Sequence, residues 1–139
     1  MKLSKEEDTM MTPTAAEVGA RSKEPGVAEI HGFRGRLITG DDADYDLART
    51  VWNGAIDRRP RLIARCIGTA DVVAAVRFAR DRGLAIAIRG GGHNVAGTAV
   101  CDDGIVIDLS AMRAVRVDHA GRRAWVQGCL LYTSPSPRD

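Results

Sequence analysis

The chain has 139 residues, 45% hydrophobic and 27% charged, with a formal net charge of +2. That length suits about one small domain and that balance suits a globular protein. So slight a cationic excess, with no aromatic interleaving or recognisable motif, excludes an electrostatic nucleic-acid binder. Three cysteines exclude a disulfide framework.

Residues 1–28 mix Lys, Glu, Thr, Ala and Pro without periodicity and predict a flexible leader. The first eight residues are charged and lack an apolar h-region, so they do not read as a signal peptide; Met10 and Met11 are alternative starts. No apolar stretch approaches a membrane span. Reduced cysteines would suit a cytoplasmic location.

Residues 29–58 read as a helical lead-in. Asp41 or Asp42 is expected to cap a short helix running to about Trp52, with Tyr45, Leu47, Ala48, Val51 and Trp52 along its apolar face. Arg61 to Cys66 predicts a first strand. Thr69 is the expected cap of the next helix, with Asp71 at its positive end. Val72, Val76 and Ala79 recur at helical spacing, Val73 and Phe78 widen the stripe, and Gly83 is the expected stop.

Leu84 to Arg89 then predicts a strand, completing a β-α-β unit that points to α+β architecture. Asp102-Asp103-Gly104 reads as a hairpin turn in preference to a metal or acid–base pair, and it leads into the strand Ile105 to Leu109. Ser110 to Met112 turns the chain. Ala114 to Asp118 alternates as a strand, with Val115 and Val117 on one side. His119-Ala120-Gly121 turns again, and Arg123 to Gln127 is its partner. Arg58, Arg59, Arg61, Arg113, Arg116, Arg122 and Arg123 read as solvated edges. Cys66 and Cys101, beside apolar strands, read as buried free thiols. His31, His93 and His119 show no metal-ligand spacing.

Between two of these strands lies Arg89-Gly90-Gly91-Gly92-His93-Asn94-Val95-Ala96-Gly97. Three consecutive glycines strip the backbone of side chains, permit positive φ and let a ligand reach the amide N–H groups. Successive N–H groups can form an anion nest, and Arg89 beside them could add positive charge. His93 at the rim adds a nucleophile or base. A Walker loop does not fit, because His93 and Asn94 follow Gly92. The dinucleotide fingerprint fails too, because Val95 stands at its third glycine. From spacing alone the loop is either a diphosphate cradle with a reactive imidazole or an ordinary turn between strands.

From Arg59 to Gly128 the words "RPRLIARC", "ADVVAAVRFARDRGLAIAIRGGGHNVAGTAV", "DDGIVIDLSAMRAVRVD" and "VQG" resemble the covalent-flavin oxidase family. That family includes vanillyl-alcohol oxidase, berberine bridge enzyme and 6-hydroxynicotine oxidase. The resemblance implies that residues 59–128 are the N-terminal, incomplete part of a PCMH-type FAD-binding domain. It implies FAD as cofactor, with Arg89, Gly90, Gly91, Gly92 and Asn94 around the diphosphate and Gly97 and Thr98 continuing along it. His93 would carry the covalent link to the flavin 8α-methyl group.

Asn53, Asp57 and Pro60 match the family's opening word, read here as structural. Some relatives add a cysteine link, but Cys101 lies too near His93 for that role. The implied activity is an oxidase that takes hydride from a small-molecule substrate and passes electrons to molecular oxygen. A dehydrogenase with another acceptor and a non-catalytic nucleotide-binding remnant are the alternatives. Catalytic side chains are expected outside this chain. Residues 129–139, "CLLYTSPSPRD", resemble the translation of a sequencing-library adaptor and are expected not to be native.

Overall fold

The structure, a computed structural model, describes residues 29–129. The predicted leader and residues 130–139 of the adaptor-like tail lie outside that range. Eight elements follow in order: β1 Arg36–Ile38, α1 Tyr45–Ala48, β2 Leu62–Arg65, α2 Thr69–Asp81, β3 Ile86–Arg89, β4 Ile105–Asp108, β5 Val115–Asp118 and β6 Arg123–Val126. The mixture of helix and strand agrees with the α+β expectation.

A four-stranded sheet runs in the order β1-β2-β4-β3, and β5 and β6 pair separately. The β2-α2-β3 unit leaves a gap one strand wide, which β4 fills parallel to both neighbours. A central parallel strand is covered on both faces, which explains why Ile105-Val106-Ile107 runs apolar without alternation. One face carries α2: Ala75, Phe78 and Ala79 pack on Leu62, Ala64, Ile105 and Ile107. The opposite face packs Tyr45, Ala48 and Val100 over Ile63, Ala87 and Val106. Because all three parallel strands end at one edge, the register places Arg65 beside Asp108 and Asp108 beside Arg89.

Several local expectations change. The lead-in contributes a strand, β1, antiparallel to β2. Its helix covers only four residues. Asp42 caps a loop instead, its carboxylate accepting from the Thr39 N–H at 2.7 Å and hydroxyl at 3.0 Å. Gly68, not Thr69, stands at the α2 N-cap. Asp71 turns inward and accepts from Arg34 N–H and Ile67 N–H, which ties the lead-in to the helix. Val73 lies 42% exposed, outside the packed stripe. Gly83 does end the helix, at φ +61°.

The Asp102-Asp103-Gly104 turn is no hairpin, since β3 and β4 are parallel. It tethers the long return crossover: Asp102 accepts from Arg59 N–H at 2.8 Å, and Asp103 N–H donates to Arg59 O at 3.0 Å. β5 and β6 form the expected antiparallel pair, yet Val115 and Val117 stay about half exposed. Cys66 is buried, whereas Cys101 is only half-buried. No His, Cys, Asp and Glu cluster among the described residues could hold a metal.

Candidate functional site

Asp108 is fully buried at the end of β4 and organises the carboxyl edge of the sheet. One oxygen accepts from Arg89 at 2.8 Å and from Arg65 at 3.1 Å; the other accepts from Ser110 N–H at 3.0 Å. Burial alone would raise this carboxyl, but the Arg89 hydrogen bond and charge, with Ser110 and Arg65, hold it below the ordinary range. A charge at the end of an apolar strand is thereby matched in place.

Arg89 uses its remaining reach on the backbone. It donates to Ala48 O and, at 3.1 Å, to Thr50 O. The segment after α1 is thus clamped to the strand that launches the glycine loop. The guanidinium points into the protein, so the free cation anticipated beside the glycines is instead paired with Asp108.

At Gly90 the loop approaches other backbone too closely for a side chain. A Cβ on Gly90 would lie 2.6 Å from Gly128 O, and Gly92 has φ +71°. Among the described residues, no hydrogen bond uses the N–H of Gly91, Gly92 or His93. Trp52 N–H donates to Gly92 O at 3.1 Å, and the Trp52 and His93 rings stack with centroids 6.2 Å apart.

Arg89, Gly90, Gly91, Gly92 and His93 all line one open cleft of about 530 Å³. Asn94, Gly97 and Thr98 do not line it. They make the loop's far limb: Gly97 N–H donates to Asn94 O at 3.1 Å and Thr98 N–H to Asn94 Oδ1 at 3.3 Å. Gly97, at φ +71°, sits against Ile56 with no room for a Cβ. Asn53 Nδ2 donates to Val95 O at 2.9 Å, and Asp57 pairs with Arg49, which gives that opening word a structural part.

Trp52, Arg65, Ser110 and Arg113 also line the cleft, and none of them was expected in the site. Trp52 read as the apolar face of a helix but is 68% exposed. Asp108, ending an Ile-Val-Ile run, offered the one available signal: a buried carboxylate requires a partner. No helix among the described residues is long and apolar enough to cross a membrane.

The cleft fits a dinucleotide diphosphate in its chemistry. Donors without protein partners among the described residues sit beside Gly90, where a Cβ would meet Gly128 O, and the His93 imidazole stands at the rim. Residues 60–132 match the FAD binding domain family. Over 99 residues the chain is 45% identical to (R)-6-hydroxynicotine oxidase of Paenarthrobacter nicotinovorans, covering 71% of this chain and 22% of that protein.

The crystal structure of 6-hydroxy-D-nicotine oxidase from Arthrobacter nicotinovorans superposes with a TM-score of 0.66 at 43% identity, covering 70% of this chain and 21% of that one. Glucooligosaccharide oxidase from Acremonium strictum, which carries a 6-S-cysteinyl, 8α-N1-histidyl FAD, superposes with a TM-score of 0.63 at 30% identity. The match covers 68% of this chain and 20% of that one. The chain therefore spans about a fifth of the length of the relatives it matches.

Proposed function

Given that the chain belongs to the FAD binding domain family, we propose that it is the diphosphate-binding and flavin-linking portion of an FAD-dependent oxidase. The observation that carries the reading is the row of N–H groups at Gly91, Gly92 and His93, which have no protein acceptor among the described residues. Such a row meets phosphate oxygens directly. Arg89 acts by position: paired with Asp108 and two carbonyls, it fixes where the row begins. Asn94, Gly97 and Thr98 shape the loop's far limb along the cofactor. His93, exposed at the rim, is the residue that tethers the flavin.

When bound, FAD accepts hydride from a small organic substrate and returns electrons to molecular oxygen; this chain supplies grip and orientation. The test uses the protein from the complete reading frame, denatured and run on a gel. A fluorescent protein band that disappears in H93A is the expected result. A dark wild-type band with free FAD recovered would sink the covalent link, and absence of FAD would sink the cofactor assignment. Hydrogen peroxide formed with an oxidisable substrate separates an oxidase from a dehydrogenase.

A further inference from the structure

The charged side chains lining the cleft are Asp44, Arg65, Arg89 and Arg113. All but the last are already matched. Asp44 pairs with Arg36 at 2.7 Å, and Arg65 and Arg89 converge on the single carboxylate of Asp108. Arg113 has no carboxylate partner among the described residues. Its Nε donates to Ser110 O at 2.7 Å, and neither terminal nitrogen has a protein acceptor among the described residues. The turn that carries it is held on both sides. Ser110 N–H donates to Asp108 at 3.0 Å, and Ala114 N–H donates to Gln127 Oε1 at 2.8 Å. Arg113 is exposed, so an unmatched guanidinium edge stands in the same cleft as the Gly91, Gly92 and His93 amides.

We infer that Arg113 is the side chain whose charge meets the diphosphate in this cleft, supplying the attraction that Arg89 commits to Asp108. This rests on the diphosphate reading above and adds a side chain to it. A dinucleotide diphosphate carries a negative charge on each phosphoryl group. Sharing Asp108 leaves Arg65 and Arg89 with one positive charge between them, and Arg113 supplies the second. A guanidinium also presents paired N–H groups that match phosphate oxygens in geometry as well as charge. The loop amides fix where the phosphates lie, and Arg113 adds an attraction that dissolved salt can screen.

Titrating the ¹⁵N-labelled 139-residue chain with ADP, followed at the Gly91, Gly92 and His93 amides, reads this contact without flavin or turnover. In low salt R113Q should weaken ADP binding about fivefold, the size of one solvent-exposed ion pair. Its ligand-free amide spectrum should match the wild type away from residue 113. Raising the salt should narrow the gap between the two chains, because screening removes what the charge contributes. R113K should keep the salt dependence and lose the part due to paired N–H geometry. Equal ADP affinity in wild type and R113Q at low salt would overturn the inference and leave the loop reading in place. A gap indifferent to salt would make Arg113 a structural residue and overturn the inference as well. Wild-type loop amides that ADP does not shift would remove the diphosphate reading and this inference together.

Discussion

Asp108 governs the site although it faces no ligand. Three donors converge on it, from Arg89, Arg65 and Ser110 N–H. Removing one partner of such a buried pair leaves the other charge uncompensated. D108A should therefore lower unfolding free energy by about 3–5 kcal/mol in urea titration. The pH dependence follows from the same contacts. Because the folded carboxyl titrates below its ordinary 3.8, its contribution is complete above the unfolded value and is lost as pH falls through the folded one. Wild-type stability should thus fall in acid below about pH 4, a loss that D108A shows less steeply. Cys66 gives a second residue-scale outcome: burial pushes its thiol up to about 12. Cys66 should stay silent to an aromatic disulfide reagent at pH 8 while the chain is folded, and fast labelling there would contradict the packing. Asp108 breaks an apolar strand, the one signal of its role in the sequence; its pairing with Arg89 was not legible, because only the sheet register brings the two together.

At the scale of elements, hydrophobic spacing located the strands at 62–65, 86–89 and 105–108 and the helix that ends before Gly83. Caps and turns were less legible. Thr69 looks like a cap, yet the extended residue is Gly68; Asp71 stands in the first helical turn as expected and also accepts from Ile67 and Arg34 N–H. Asp102-Asp103-Gly104 has the chemistry of a hairpin, but a crossover between parallel strands uses the same residues, and topology decides between them. β1 has three residues and no pattern to read. The loop's far limb gives a sharp test at Gly97, which combines φ +71° with an Ile56 contact where a Cβ would lie 2.7 Å away. G97A should cost about 1–3 kcal/mol from the backbone conformation alone. Relief of part of that loss in G97A/I56A is expected by thermal melting, and equal melting of G97A and wild type would refute the crowding. The exposed β5–β6 pair should exchange its amide hydrogens well before β2 and β4, because little apolar surface covers it.

Across the whole molecule, α2 covers β2 and β4 but leaves Ile86 and Ile88 of β3 at 40% and 60% exposure. Trp125 and Val126 of β6 are likewise half exposed, and the chain spans about a fifth of its relatives. The family was legible from residues 89–98 with their flanks, because a side-chain-free bend ending in an imidazole combines rare requirements. Substrate and catalytic side chains were not legible, since nothing between 29 and 129 encloses a reacting group. An open cleft holds a ligand less firmly than an enclosing pocket, so FAD should bind this chain far more weakly than it binds the complete protein. The central claim is that main-chain amides of the glycine loop grip the diphosphate. Titrating the ¹⁵N-labelled chain with ADP while following every backbone amide tests it most directly. The account predicts that the Gly91, Gly92 and His93 amides move first and furthest, saturating together. Saturable shifts confined to the opposite edge of the sheet, with those three amides unmoved, would contradict it.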